Sequence, residues 1–283
     1  MIGLALLGLA LFGRPPEVSV APEAPRPGDL LAVRVAVTAT AAEARLGRLR
    51  YPLVPFEGGF AGFLAVPIEA EGAVTLEVLT PAGRSSLEVP ITSRGWARTK
   101  LRVAKRFTRK GEVAPKLKAR LARERAEIQA VWDPLPSRLR PLGAPAAPTR
   151  KPYKTGVYGT RRELNGVLKS RHYGLDLRGA VGDPVKAALP GRVVLSGMRY
   201  YAGGTLILDH GGGLFTLYFH LSRRDVKVGD RIRAGQRIGR VGRSGRVTGP
   251  HLHLSVGVRA RGPNGALLMY VDPEPVLKGV GLL

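Results

Sequence analysis

The sequence predicts a mainly β protein with a single long helix. Glycine and proline supply 37 and 23 of the 283 residues, which favours many turns and short strands over long helices. Apolar side chains alternate with polar or small ones in both halves of the chain, a pattern typical of strands with one buried face. Apolar residues make up 44% of the chain, so it can form a sizeable core and is not a disordered protein.

The first segment is an apolar run from Ile2 to Phe12. It is shorter than the about 20 residues that a membrane-spanning helix needs, but it fits the hydrophobic region of a secretory signal. We therefore expect residues 1–16 to be a signal peptide or an N-terminal anchor, which would place the protein in the cell envelope, periplasmic or extracellular. No Lys or Arg precedes the run and no clear A-x-A site follows it, so a buried first strand or helix is the alternative.

Residues 17–93 predict a small all-β domain. Turn signals such as Pro27-Gly28-Asp29 separate its alternating runs. Short strands at this spacing are typical of an immunoglobulin-like β-sandwich. The region has no cluster of titratable residues, which favours a structural or recognition role over chemistry. The alternating apolar residues are Leu31, Val33, Val35 and Val37, then Val74, Leu76 and Val78, and finally Leu87 and Val89.

Residues 94–152 predict a basic helical linker between two β-rich domains. A helix is expected from about Val113 to Trp132, with Pro115 in its first turn and its apolar stripe docked on a neighbouring domain. Six prolines between residues 134 and 152 predict a linker, which either holds the N-terminal domain over the rest as a lid or leaves it free. The stripe comprises Val113, Leu117, Leu121, Ile128 and Trp132, and the charged residues expected mostly away from it are Arg123, Glu124, Arg125 and Glu127.

The charge is strongly positive and unevenly distributed. The chain has 45 basic and 21 acidic residues, a formal net charge of +24. Residues 1–90 are slightly acidic, so the positive charge belongs to the rest of the chain. This field predicts an anionic polymer as partner, and nucleic acid, acidic lipids and the bacterial cell wall all satisfy it. Aromatic residues are only 6% of the chain and no nucleic-acid-binding motif is present, so no nucleic acid is expected.

All five histidines fall within residues 172–253, in a chain without cysteine. The lack of cysteine excludes a disulfide scaffold, a Cys-ligated zinc site and a thiol nucleophile. A metal site would therefore use His, Asp or Glu. Such clustering of histidines indicates metal or acid–base chemistry within residues 153–283.

His251 and His253 lie in an alternating apolar context. On a strand, residues i and i+2 point to one face, with Cα atoms about 6.6 Å apart, so the two imidazoles can converge on one small site. The alternative is two half-exposed strand histidines without a ligand.

His172 and Asp176 require a distorted backbone to share a site. Four residues of ideal strand span about 13 Å, and Gly174 argues against a helix. A strand bent or bulged near Gly174 would bring the two side chains together. Two His and one Asp with an open position form the pattern of catalytic zinc, which lowers the pKa of water and polarises carbonyls. The remaining histidines could then transfer protons or stabilise an oxyanion.

In these segments the sequence resembles the lysostaphin-like (LytM-type, M23) zinc metallopeptidases of bacterial cell walls. The resemblance covers about residues 155–275, and it implies a β-rich peptidase domain of the barrel-sandwich hybrid type. The matching motifs are His172-x-x-x-Asp176, Tyr218-Phe219-His220-Leu221 and Thr248-Gly249-Pro250-His251-Leu252-His253.

The resemblance implies one Zn²⁺ per chain, held by His172, Asp176 and His253, with His220 and His251 as the catalytic pair. It implies hydrolysis of peptide cross-links or cross-bridges of peptidoglycan. It does not decide which bond is cleaved or which histidine of the pair is the base. His210 also matches a family segment, and we interpret it as structural.

Three other interpretations compete with a peptidase. The segment from Val226 to Gly239 resembles biotinyl or lipoyl carriers, but no exposed target lysine follows the carrier pattern. Gly239, Gly242 and Gly245 could indicate a phosphate loop, yet no Gly-Lys-Ser/Thr follows them. The strongest rival is a catalytically silent peptidoglycan-binding or regulatory envelope protein, against which the complete ligand set argues.

Overall fold

The computed structural model describes residues 15–107, 114–136, 138–150, 153–166 and 168–283. The apolar run from Ile2 to Phe12 lies outside these residues, so its assignment stays a prediction. Within the described ranges, no helix has the length and apolar character needed to cross a membrane.

The N-terminal strands form two antiparallel layers joined through one strand. The first half of β4 pairs with β3 and its second half pairs with β5. The order is therefore β1-β2-β5-β4 on one side and β4-β3-β6-β7 on the other. The immunoglobulin-like arrangement stays a prediction. The strands are β1 (Glu17–Ala21), β2 (Leu30–Ala36), β3 (Ala42–Leu46), β4 (Leu49–Phe56), β5 (Gly59–Ala65), β6 (Ala73–Thr80) and β7 (Gly83–Pro90).

The segment after β7 contributes a strand, β8 (Arg98–Leu101), a short 3-10 helix (Lys105–Phe107) and α1 (Pro115–Trp132). Helix α1 begins at the predicted proline. Ile128 and Trp132 pack against strand residues of the C-terminal half, among them Phe215. Val113 lies outside the described residues.

The prediction that Glu124 lies mostly away from the buried face was wrong. Its carboxylate is buried, accepts the backbone N–H of Tyr200 at 2.9 and 3.1 Å, and pairs with Arg120 at 2.8 Å. The bonds satisfy a buried carboxylate, and position 124, three residues after Leu121 and four before Ile128, lies on the same helix face as the apolar stripe.

The C-terminal half is β-rich, as predicted. Its central strand is β20, which pairs with four other strands, including β12, β16 and β21. The elements are β9 (Lys154–Gly156), β10 (Arg161–Leu164), β11 (Leu168–Arg171), β12 (Leu175–Arg178), β13 (Pro184–Lys186), β14 (Gly191–Arg199), β15 (Gly203–Asp209), β16 (Leu214–Leu221), β17 (Arg223–Arg224), β18 (Arg231–Ile232), β19 (Arg237–Arg240), β20 (His251–Gly262), β21 (Gly265–Val271) and α2 (Pro273–Val276).

The two β-rich regions share one hydrophobic core. Leu31 and Leu64 of the N-terminal strands belong to the same buried cluster as Leu214, Val256 and Val258. Strand β4 also pairs with β20, with Arg50 opposite Arg261.

The described part of the proline-rich stretch packs along the C-terminal half. The carbonyl of Arg138 accepts the N–H of Gly212, and Ala146 donates its N–H to the carbonyl of Ala188. Leu142 is buried in the shared core. This part of the predicted linker is therefore held to the domain by its own backbone contacts.

A separate three-stranded sheet links the basic segment to the C-terminal half. Strand β8 runs parallel to β10, and β10 runs antiparallel to β11. Because side chains alternate along strands, Arg162 and Leu164 share one face while Arg161 and Glu163 share the other.

Candidate metal centre

Strands β12 and β20 bring together three of the predicted site residues. Asp176 lies directly opposite His253 in the antiparallel ladder, and Arg178 lies opposite His251. Asp176 and His253 are thus cross-strand neighbours, whose side chains stand about 5 Å apart at Cβ.

His172 reaches the same place because the chain bends between β11 and β12. The bend falls at Gly174, and His172 Nε2 lies 3.0 Å from Asp176 Oδ1. A Cβ atom at Gly174 would lie 2.6 Å from both the His253 ring and the Leu254 carbonyl oxygen. The position therefore requires glycine for close approach, a reason that the sequence alone did not reveal.

His172, Asp176 and His253 present three donor atoms to one point. Asp176 Oδ1 lies 2.8 Å from His253 Nδ1, and His172 Nε2 lies 3.0 Å from the same nitrogen. Ligands of a tetrahedral zinc ion with bonds of about 2.0 Å stand roughly 3.3 Å apart. The chemistry and spacing of these donors fit a zinc ion.

Hydrogen bonds fix His172 and His253 in the tautomer that binding to a metal would require. His172 Nδ1–H donates to the Val157 carbonyl at 2.9 Å, because a carbonyl can only accept. His253 Nε2–H donates to the Ser255 hydroxyl at 2.9 Å, which in turn donates to the Tyr173 carbonyl at 2.7 Å. The remaining ring nitrogens face the centre with their lone pairs.

Asp176 is held ionised. Burial raises its pKa, but the favourable interactions of the carboxylate with the neighbouring His172 and His253 outweigh burial and hold the pKa well below its usual range. Its second oxygen, Oδ2, accepts from Arg162 Nη2 at 2.6 Å. The carboxylate thus keeps one oxygen for the centre and one for the guanidinium.

His220 and His251 lie side by side next to this cluster, with ring centroids 4.9 Å apart. Each donates Nδ1–H to a backbone carbonyl at 2.8 Å, His220 to Ser244 and His251 to Gly249. Burial, and then the neighbouring histidines, lowers the pKa of His220 to about 3, so this ring is neutral near pH 7. His251 Nε2 lies 3.6 Å from Asp176 Oδ1. Both Nε2 atoms are left as proton acceptors.

All five of these side chains line a groove of about 320 Å³. Tyr201 lines the groove, as do Leu101 and Val103 from the basic segment. The side-chain amide of Asn165 holds Val103 in place: Asn165 Oδ1 accepts the Val103 N–H and Asn165 Nδ2 donates to the Val103 carbonyl, both at 2.9 Å. The contribution of residues 98–103 was missed because nothing in their sequence marks a partner in β10.

His210 lies apart from the cluster and is completely buried. It donates Nδ1–H to the Pro190 carbonyl at 2.7 Å, and its Nε2 accepts from Thr216 at 2.8 Å. Burial lowers its pKa to about 4. Both ring nitrogens are used inside the core, which fits the structural role expected from the sequence.

A family model, peptidase family M23, matches residues 170–264. The chain carries a peptidase family M23 domain. The matched residues of the M23 domain include every histidine and Asp176.

Two endopeptidases are similar to part of this chain. Glycyl-glycine endopeptidase ALE-1 of Staphylococcus capitis is 40% identical over 131 residues, covering 46% of this chain and 35% of that protein. Peptidoglycan DD-endopeptidase ShyA of Vibrio cholerae is 43% identical over 105 residues, covering 36% of this chain and 24% of that protein. The matches thus span about a quarter to a third of these relatives.

One solved structure is similar over most of the chain, not only over the M23 domain. It is a Pseudomonas aeruginosa protein described as a candidate M23 peptidase, with a TM-score of 0.58 and 27% sequence identity. The match covers 90% of this chain and 95% of that one. The N-terminal strands and the M23 domain therefore occur together in another protein.

Proposed function

We propose that the protein is a zinc-dependent endopeptidase that hydrolyses peptide cross-links or cross-bridges of bacterial peptidoglycan. It would act in the cell envelope, in the periplasm or outside the cell. The observation that carries the proposal is the convergence of two imidazoles and one carboxylate beside two further histidines, inside an M23 domain. The names of the similar enzymes support peptidoglycan as the substrate.

His172 Nε2, Asp176 Oδ1 and His253 Nδ1 would hold one Zn²⁺. When bound, zinc supplies Lewis acidity that polarises a carbonyl and makes water a nucleophile near neutral pH. The protein's part is to present a preset donor triangle, since the carbonyl of Val157 and the hydroxyl of Ser255 already orient both rings.

His220 and His251 would move the proton. Their Nε2 atoms accept, because each Nδ1–H is committed to a carbonyl. One Nε2 takes a proton from the attacking water as the new C–O bond forms. A protonated Nε2 then donates to the leaving amine as the C–N bond breaks, or stabilises the oxyanion before that step. The geometry supports a shared role of His220 and His251 in proton transfer and leaves open which of the two acts as the base.

We propose that residues 17–93 form an immunoglobulin-like structural or recognition module, residues 94–152 a connecting segment and residues 153–283 the peptidase domain. The two antiparallel layers joined by β4 support the first assignment. In the described ranges, the group of His, Asp and Glu residues close enough to hold a metal lies in residues 172–253.

The first test is metal content together with peptidoglycan digestion, with and without a chelator. We expect about one zinc per chain and release of new amino ends that the chelator abolishes. The mass of the products identifies the bond cleaved. Zinc without cleavage of whole sacculi or purified cross-linked peptides would favour an autoinhibited or partner-dependent enzyme, whereas neither zinc nor cleavage would favour the catalytically silent binding protein.

Single substitutions distinguish the proposed role of metal ligand from the proposed role of proton transfer. His253→Ala is expected to lose zinc and activity together. His220→Ala is expected to keep zinc and to lose turnover by about 10²- to 10⁴-fold, the usual contribution of a general acid or base. Zinc content and cleavage rate are measured on the same preparation, and full turnover of His220→Ala would contradict its assigned role.

A further inference from the structure

The groove beside the metal centre has an excess of positive charge. Among the described residues that line it, three are arginines, Arg162, Arg171 and Arg246, and one is acidic, Asp176. Arg162 pairs with Asp176, and Arg171 pairs with Glu69. Arg162 Nε and Arg171 Nη1 are nevertheless buried without a hydrogen-bond partner. An anion entering the groove would therefore meet unsatisfied donors.

Arg246 is the arginine whose charge is left uncompensated. No Asp or Glu of the described ranges forms an ion pair with it. Its guanidinium lies over the Tyr201 ring, 5.1 Å from the centroid, and its backbone N–H donates to the Tyr201 carbonyl at 2.8 Å. Stacking uses the face of the guanidinium and leaves its N–H edges available. Because the side chain is half-buried, its charge is poorly solvated, and a bound anion would relieve that cost.

Arg246 lies on the loop that orients the catalytic pair. The carbonyl of Ser244, two residues earlier, accepts the Nδ1–H of His220. Two residues of chain span at most about 7 Å. Arg246 also lines the same groove as the metal centre, so a group that it binds would belong to a part of the substrate near the bond being cleaved.

We propose that Arg246 binds a free carboxylate of the substrate peptide, and that the enzyme prefers cross-links between acidic stem peptides to neutral glycine bridges. The inference rests on the proposed function and names its substrate class. The planar guanidinium matches a carboxylate in a two-bond arrangement. Glycine bridges offer only neutral peptide groups and would leave the cation of Arg246 unpaired.

The test compares two cross-linked muropeptide dimers that differ only in charge. In one dimer the peptide carboxyls are free, and in the other they are converted to carboxamides. With the zinc-loaded full chain we expect kcat/KM for the free acid to exceed that for the amide by about tenfold or more, the usual effect of charged hydrogen bonds. Arg246→Gln is expected to bring the ratio close to one, and Arg246→Lys to give an intermediate ratio.

Arg243→Gln is the matched control. Arg243 belongs to the same loop but is exposed, so its removal lowers the loop's charge equally and should leave the ratio unchanged. The ratio of two substrates on one variant does not respond to general damage to the fold. Equal cleavage of both dimers by the unaltered chain, or an unchanged ratio in Arg246→Gln, overturns the inference.

A binding measurement separates this inference from the proposed function. Calorimetric titration of the zinc-loaded His220→Ala chain with each dimer reports recognition without turnover. Tighter binding of the free acid, lost when Arg246→Gln is added, supports the carboxylate site even if neither dimer is cleaved. Equal binding of the two dimers refutes the site, whereas failure of the unaltered chain to cleave peptidoglycan refutes the proposed activity.

Discussion

At the scale of single residues, Asp176 uses its two carboxylate oxygens for different partners. Oδ1 faces His172 and His253, while Oδ2 accepts from Arg162. The backbone leaves space for this pair, since a Cβ atom at Gly156 would lie 2.6 Å from both Arg162 Nη2 and Asp176 Oδ2. Arg162 therefore leaves Asp176 a single oxygen, Oδ1, for the proposed zinc ion and fixes the direction of the carboxylate.

Replacing Arg162 is expected to weaken the metal site without removing a ligand. Arg162→Gln should lower zinc affinity by about 10- to 100-fold, the usual effect of losing a partner of a ligand. Competition with a coloured chelator measures the affinity. Arg161→Gln, whose side chain lies on the opposite face of β10, is the control and should bind zinc normally. Equal zinc affinity in Arg162→Gln and the unaltered chain would contradict this role.

Because His210 is buried with a lowered pKa, we expect the protein to lose folding stability in acid. Its pKa is about 4 in the folded protein, against 6.5 for an unperturbed histidine. Between these values the unfolded state binds more protons, so the stabilisation is complete above pH 6.5 and is lost as pH falls towards 4. The loss from this group is about 3 kcal/mol. Protonation would require Nε2 to give up the hydrogen bond from Thr216.

The measurement is the free energy of unfolding by urea at several pH values between 4 and 7. His210→Gln removes the titrating group, so its stability should fall less steeply over this range than that of the unaltered chain. The comparison cancels the contributions of the other histidines. Parallel pH profiles for the two chains would show that His210 is not the group responsible.

At the scale of the elements, the period-two pattern was sufficient to predict several long strands of the C-terminal half. The sequence predicts strands at residues 191–198, 204–209 and 214–220, and β14, β15 and β16 match these ranges within one residue at each end. The bend at Gly174 was expected only because two ligands had to meet. The pairing of β8 with β10 was not predictable, since parallel partners carry no local signal and register is set by tertiary contacts.

The three-stranded sheet of β8, β10 and β11 presents a basic outer face. Arg161 lies between Arg98 and Arg171 across the strands, and Glu163 lies between Lys100 and Lys169. Like charges directly opposite each other destabilise a sheet. A bound anionic envelope polymer would relieve this repulsion, so we propose this face as the place where such a polymer binds.

Removing two of these charges should weaken binding to the wall and its dependence on salt. In Lys100→Gln/Arg161→Gln, co-sedimentation with sacculi is expected to fall at low salt and to approach the unaltered chain at high salt, where screening acts on both. Arg231→Gln/Arg233→Gln removes two exposed charges elsewhere and should have a smaller effect. Equal losses in both double variants, or salt-insensitive binding of the unaltered chain, would rule out this face as a specific site.

At the scale of the whole molecule, the shared core means that the M23 domain and the N-terminal strands should unfold together. Leu64 of β5 is fully buried in the cluster that also contains Leu214 and Val256. Leu64→Ala should cost about 2–5 kcal/mol, as large-to-small changes in a core do, and differential scanning calorimetry should show a single transition at a lower Tm. Leu206→Ala, in the separate core beneath the groove, should shift that same transition. Two transitions, only one of which moves in each variant, would mean that the regions unfold independently and that the N-terminal strands do not support the site.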